Sequence, residues 1–325
     1  MRFLILSRSA GIYSTRRLLD ACEQEGVEAI VADTLDLAML LASSGKASIH
    51  SASHALVDID LVIPRIGTSL TEYGLAVIHQ FELMGVPVLN ASGAVYRARD
   101  KLRSIQMLVS KGVPVPATLM ARSPESVEWC IEQLGGPPVV LKLLQGTQGV
   151  GVMLAESLPA AEAILDAMWG LNQNILVQKF ISESRGRDVR CIVVGGRVIA
   201  AMRRVARAGA FRSNIHRGGR GESVDPVPAE VERVALDASR AVGLTVSGVD
   251  MLEGKDGPLV TEVNVSPGLE GIEGATGRDV AREMIRYAKE FAIAAKAERT
   301  WAPPTAVAPP VEAAGARPHP DVRPG

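Results

Sequence analysis

The chain has few aromatic residues, 4% of 325, and only three cysteines. Cys22, Cys130 and Cys191 have no metal-ligand spacing, so neither a zinc module nor a disulfide scaffold is indicated, and they read as small buried hydrophobes in a reducing compartment. Also missing is any uninterrupted apolar run approaching the ~18 residues of a membrane span. The opening MRFLILSRSAG has too short an apolar core for a signal peptide. A cytoplasmic protein with no membrane partner is therefore expected. An excess of either charge is missing as well: 35 Lys plus Arg face 36 Asp plus Glu. That balance disfavours direct nucleic-acid binding through overall charge. With 47% hydrophobic residues, the length supports a large core divided among two or three compact units.

The first hundred residues alternate short apolar runs with helical patterns. RFLILS, VEAIVAD and DIDLVIPR read as strands, with PVLN as a further short one. Ser14 is expected to cap a helix carrying Leu18, Leu19 and Cys22 on one face, and Gly26 to stop it. Another helix is expected from Thr71 to Met84. This rhythm predicts a small, mostly parallel α/β domain over residues 1–98. Asp100 can cap a helix with Leu102, Ile105, Gln106 and Leu108 as its stripe. That helix opens a smaller α+β unit over 99–184, with strands in PPVVLKLL and NILVQKFI. A larger unit over 185–297 is built on two hairpins. DVRCIVV and RVIAAMRR turn at Gly195 and Gly196, and SGVDMLEG and PLVTEVN turn at Lys255 and Asp256. The segment 298–325, with seven prolines from Trp301 onward and no repeating apolar face, is expected to be disordered.

Three groups of residues carry potential chemistry. Glu262 and Asn264 are two apart in a strand and share a face, and the hairpin turn brings Asp250 opposite Glu262. Converging oxygen ligands suit magnesium, although a hydrated polar sheet face has the same pattern. QGTQGVGV at 145–152 is either a plain tight turn or a loop whose backbone N–H groups surround phosphate. Lys142 interrupts an apolar strand, where an unpaired ammonium is costly, and an ATP phosphate would supply its partner. Lys101 is either a second such cation or an exposed helical lysine. Between Arg185 and Arg220 the chain holds ten arginines and one acidic residue, Asp188. This field should attract phosphates, carboxylates or nucleic acid, and it contains the glycine-rich GAFRSNIHRGG. His216 is favoured as a phosphate or substrate contact, or a structural hydrogen bond, over a general base. His50 and His54 lack a third ligand.

These segments, taken in order, resemble the ATP-grasp superfamily, and within it the RimK-type ligases that add glutamate to the C-terminus of a ribosomal protein. The matching pieces run from ILSR and IPRIGTSLTEYG through RARDKLRS, KLLQGTQGVGVMLAE, ILVQKFI, DVRCIVVGG, FRSNIHRGG and SGVDMLE to TEVNVSPGLEGIE, covering residues 1–295. The resemblance implies an ATP-grasp fold preceded by a small parallel-sheet domain. It implies ATP contacts at Lys101, Lys142, Lys179, Phe180, Asp188, Arg212, Ser213 and Asn214, with Gly146, Thr147, Gln148 and Gly149 in the loop over the phosphates. It also implies magnesium at Asp250, Glu262 and Asn264, with manganese as a substitute. Lys179 departs from the glutamate usual in this family, which puts its adenine contact in question.

The implied reaction activates a carboxylate as an acylphosphate, and the amine of glutamate then displaces phosphate. Lys142 and Arg212 would stabilise the transferring phosphoryl group, and Arg203 or Arg204 a carboxylate. Arg65, Arg190 and His216 are candidate substrate contacts. The expected partners are glutamate, the C-terminus of a small-subunit ribosomal protein and, through the family, further copies of the chain. Competing readings are a ligase acting on a small molecule or a carrier protein, and an RNA-binding protein using the arginine field.

Overall fold

The computed structural model describes residues 1–41, 47–51, 54–67, 71–120, 122, 126–144, 151–207 and 219–301. Gly146, Thr147, Gln148, Gly149, Arg212, Ser213, Asn214, His216 and the Pro-rich tail after Trp301 lie outside the described residues.

The apolar run after Met1 forms β1 (Arg2–Leu6), and α1 (Tyr13–Gln24) returns the chain to β2 (Glu28–Ala32). A small antiparallel sheet follows, β3 (Leu37–Leu41), β4 (Ala47–Ser51) and β5 (His54–Ala55), before β6 (Leu61–Pro64), α2 (Thr71–Leu83) and α3 (Ser92–Arg99). The first sheet is parallel in the order β2-β1-β6, as the βα rhythm predicts. Both of its faces are buried. Phe3 and Ile5 point to one core, and Leu4, Leu6 and Val62 to another filled by Val77, Ile78 and Phe81 of α2. Two expectations change here. The N-cap of α1 is Ile12, and Ser14 lies inside the helix, where its Oγ accepts the Leu269 N–H at 3.0 Å. PVLN contributes a single parallel bridge, Val62 to Val88, rather than a strand.

Asp100 caps α4 (Lys101–Ser110), its Oδ1 accepting the Arg103 N–H at 3.0 Å. Gln106, assigned above to the apolar stripe, is exposed, and Ser104 is buried with Leu108 instead. Next come β7 (Thr118–Leu119), α5 (Val127–Gln133), β8 (Val139–Leu143), β9 (Val152–Ala155), α6 (Leu158–Gly170) and β10 (Ile175–Lys179). They give a four-stranded sheet, β7-β10-β8-β9, backed by α5 and α6 through Val127, Ile131, Ala161 and Leu165.

The third sheet, β13-β12-β11-β14-β15, carries most of the site. Its hairpins are β11 (Arg187–Val194) with β12 (Arg197–Val205), and β14 (Val246–Gly254) with β15 (Gly257–Asn264). Gly195 and Gly196 turn the first at φ 58° and 77°, and a Cβ on Gly195 would meet the Tyr287 ring at 2.3 Å. β13 (Arg220–Ser223) adds one edge, α7 (Ala229–Val242) covers one face, and α8 (Glu270–Thr276) and α9 (Val280–Trp301) lie on the other. On that second face Ile192, Val194, Ala200 and Met202 share a core with β1, α1 and α9, so the first domain and this sheet are welded together. The remaining part of the same face is polar.

Candidate active site

Strand alternation builds the polar patch. Asp188 and Arg190 are two apart in β11, so they share the face of Ile192, while the intervening Val189 and Cys191 point to α7. The ladder pairs Asp188 with Arg204, Arg190 with Asp250, and Asp250 with Glu262. Asp250 and Glu262 therefore stand side by side, as the hairpin geometry requires. Asn264 joins them through Nδ2, which donates to Asp250 Oδ2 at 3.3 Å and to the Gly248 carbonyl at 3.3 Å.

The two carboxylates have different surroundings. Asp250 is buried, and Arg190 grips it bidentately, Nε to Oδ1 and Nη2 to Oδ2, both at 2.6 Å. Arg204 Nη2 reaches Asp250 Oδ2 at 3.0 Å and also holds Asp188 through two bonds. Burial alone would raise the pKa of Asp250, but the two guanidinium groups outweigh it and hold the carboxyl below its usual range. Glu262 is reachable by solvent on the floor of a cleft within the fold. The surrounding protein, and then Asp250, push its pKa up, and Lys101, Arg190 and Lys142 offset only part of that.

Lys101 and Lys142 approach from the second unit, the first from helix α4 and the second from strand β8. Lys101 starts α4 and donates from Nζ to the Leu143 carbonyl at 2.9 Å. Lys142 is on β8 opposite Leu176, and its ammonium has no hydrogen-bond partner among the described residues. Burial pushes its pKa down to about 8, against the pull of Glu262, with Lys101 adding repulsion. Lys101 on α4 and Lys142 on β8 thus both lie within electrostatic reach of Glu262 on the third sheet. Lys179 is the exposed last residue of β10, anchored by its N–H to the Ala117 carbonyl at 2.8 Å, and Phe180 follows it half-buried.

The arginine pair read above as a carboxylate clamp is divided. Arg204 is buried between Asp188 and Asp250, whereas Arg203 projects to the opposite face and pairs with Glu253 at 2.6 Å. Both guanidinium groups are taken up by protein carboxylates, Arg204 by its ladder neighbour Asp188 and Arg203 by Glu253 on β14, two strands away. Asp188, read as a nucleotide contact, is likewise held by Arg204. Sequence reasoning missed Glu253 as the partner of Arg203, since the two are fifty residues apart. Within the arginine field Arg190, Arg203, Arg204 and Arg220 are each paired with a protein carboxylate.

Arg65 leaves the C-terminal end of β6 and donates to the Pro267 carbonyl at 2.8 Å, and burial lowers its pKa to about 10. Ser266 Oγ donates to the Pro64 carbonyl at 3.2 Å. Asn90, missed in the sequence, is buried and bonds the Thr245 and Val246 N–H groups and the Val246 carbonyl at 2.7–2.9 Å. The first domain thereby fixes both the start of β14 and the loop after β15.

Donor chemistry allows a test of magnesium at this place. The Glu262 carboxylate faces the cleft, and Asn264 Oδ1 has no hydrogen bond among the described residues. Both suit a hard cation. Among the described residues no three His, Cys, Asp or Glu side chains are grouped to enclose a metal. A cation here would need phosphate or water for its remaining ligands, as magnesium characteristically does. Asp250 has the right chemistry, but Arg190, Arg204 and Asn264 already donate to its Oδ2, and Arg190 also to its Oδ1.

Comparison with known proteins agrees with this architecture. Residues 1–95 match the RimK PreATP-grasp domain and residues 98–288 the RimK-like ATP-grasp domain. A protein of Ectopseudomonas mendocina named "Probable alpha-L-glutamate ligase" is 51% identical over 292 residues, 90% of this chain and 96% of its own. One of the same name from Vibrio cholerae is 50% identical over the same shares. Among solved structures, the RimK domain protein ATP-grasp from Sphaerobacter thermophilus superposes with a TM-score of 0.66 at 25% identity, covering 88% of this chain and 99% of that one. The ATP-grasp ligase PsnB, complexed with a phosphomimetic variant of a minimal precursor, Mg and ADP, has the same fold, with a TM-score of 0.69 at 22% identity over 91% and 98%. The chain belongs to the RimK family of ATP-grasp ligases, with its PreATP-grasp domain fused through a shared core to the sheet that carries Asp250 and Glu262.

Proposed function

We propose that this chain joins glutamate to a carboxylate of an acidic polypeptide, the C-terminus of a small-subunit ribosomal protein, at the expense of ATP. The observation that carries this reading is the facing of Lys101 and Lys142 against Glu262, Asn264 and Asp250 across one cleft. The names of the relatives at about half identity support glutamate as the amino acid.

A free carboxylate resists attack by an amine because it is anionic and lacks a leaving group. Its oxygen attacks the γ-phosphorus of ATP, ADP departs, and the acylphosphate that forms is open to the amine of glutamate, with phosphate leaving. Lys142 is the group best suited to the transferring phosphate. Its ammonium is held in a partly desolvated strand, so the charge of the phosphoryl oxygens acts on it with little screening. Lys101 adds a second positive charge at the mouth of the cleft. Glu262 and Asn264, with Asp250, would hold magnesium, which when bound neutralises phosphate charge; manganese is a chemically suitable substitute. In this reading the adenine edge meets the chain at Lys179 and Phe180. In the proposed arrangement Gly146, Thr147, Gln148 and Gly149 cover the phosphates, Arg212, Ser213 and Asn214 line their far side, and His216 contacts substrate.

Intact-mass analysis of the ribosomal protein after incubation with enzyme, glutamate, ATP and magnesium tests the reading. Stepwise addition of glutamate residues, absent with Lys142→Met, is expected. ADP release that depends on glutamate without any mass addition would move the acceptor to a small molecule or carrier protein. The absence of both would sink the proposal.

A further inference from the structure

Asp250 accepts bonds on both oxygens from Arg190 at 2.6 Å, from Arg204 at 3.0 Å and from Asn264 Nδ2 at 3.3 Å. Three of these bonds crowd Oδ2 and one falls on Oδ1, and a dication placed beside two guanidinium groups meets strong repulsion. The two arginines are not equivalent. Arg204 is bolted on its other side to Asp188 and is 7% exposed. Arg190 bonds Asp250 alone among the described residues and is 17% exposed, at the rim of the cleft. It also lies close enough to Glu262 to bear on its charge.

We propose that Arg190 is the resident counter-cation of the metal position. It occupies Asp250 when no divalent cation is present and gives way when one enters, so that its guanidinium turns to the anions in the same cleft. This inference rests on the magnesium site of the proposed function. Arg204 stays with Asp188 throughout and keeps Asp250 in place. The consequence is a metal position that is closed to free cations and opens to a cation arriving with nucleotide phosphate, whose oxygens offer Arg190 a new partner. Arg190 is thus a residue that sets cation affinity and couples it to nucleotide, and its ion pair with Asp250 is an exchangeable bond rather than a purely structural one.

Mn²⁺ serves as the probe, its free concentration read by electron paramagnetic resonance on the full-length protein, first alone and then with ADP. Arg190→Met is expected to bind Mn²⁺ alone roughly tenfold tighter than the wild type, a coupling of ordinary size. The tightening that ADP produces in the wild type should shrink by a similar factor. Arg190→Lys, which keeps one charge but loses the fork, should fall between, and adding Asp250→Asn to Arg190→Met should abolish the gain. Unchanged or weaker Mn²⁺ binding in Arg190→Met, an unchanged ADP effect, or a gain that survives Asp250→Asn would each overturn the proposal. Should Arg190→Met lack a cooperative thermal transition, the same criteria apply to Arg190→Lys. Mn²⁺ binding is read without glutamate or acceptor, so failure of the ligase reading leaves this measurement independent.

Discussion

Asp250 and Glu262 are direct cross-strand partners, yet the first is clasped by two arginines and the second by none among the described residues. Two carboxylates at this spacing repel, and the fold has neutralised only one of them. Glu262 is left with a raised pKa, from burial first and Asp250 second. A folded-state pKa above the unfolded value means that its contribution to stability is present at low pH and lost as pH rises through that raised value. Glu262→Gln should therefore raise the thermal midpoint at neutral pH, while glutamate addition falls by more than the roughly 10–100-fold typical of losing an outer partner of a metal site. A lower midpoint would show that Glu262 is compensated in some other way.

Neighbouring arginines should behave unequally. Replacing buried Arg204 by Met removes a buried charge partner from both Asp188 and Asp250 and should cost about 3–5 kcal/mol in urea unfolding. The half-exposed Arg203–Glu253 pair is screened by water, so Arg203→Ala should cost less than about 1 kcal/mol. Equal losses would contradict the division of the two side chains between opposite faces of the sheet.

The sequence made the positions of these residues legible but not their partners. Alternation along a strand and a turn at Lys255 and Asp256 suffice to put Asp250 beside Glu262, because both rules are local. The pairing of Asp188 with Arg204 and of Arg190 with Asp250 depends on which strands are neighbours in the sheet, a long-range property that no spacing encodes. The same limit hid Asn90, whose partners lie more than 150 residues away. The β3–β5 sheet was missed because its short segment of mixed polarity has no clear period. Ser14 was misjudged as a cap for a related reason: its hydroxyl is committed to Leu269, which only the packing of the first domain on the third sheet reveals.

Asn90 should act at a distance from the cleft. Its amide satisfies two N–H groups and a carbonyl at the entry to β14, and an unpaired buried group costs about 1–3 kcal/mol. Asn90→Leu should therefore lower stability by roughly 3 kcal/mol or more, a loss that chemical denaturation would register. Asn90→Asp keeps an acceptor for Thr245 and Val246 but loses the donor to the Val246 carbonyl, and should be the milder of the two. Equal stability of Asn90→Leu and the wild type would remove this residue as a joint between the domains.

Lys142 supplies the pH test of the cleft. Burial lowers its pKa to about 8, so between about 8 and the ordinary lysine range the unfolded chain binds more protons than the folded one. Stability should thus rise with pH across that window, and at pH 7 the charged ammonium is a cost that Lys142→Met relieves by about 1–3 kcal/mol. Phosphate recognition has the opposite slope, because only the protonated amine attracts it. The KM for ATP should climb as pH passes through about 8, and Lys142→Arg, whose guanidinium stays charged, should flatten that rise even if its absolute affinity is poorer. A wild-type KM that stays level from pH 7 to 9.5 would show that Lys142 does not meet the phosphates as an ammonium with this depressed pKa, and the role assigned to it in phosphoryl transfer would have to pass to Lys101.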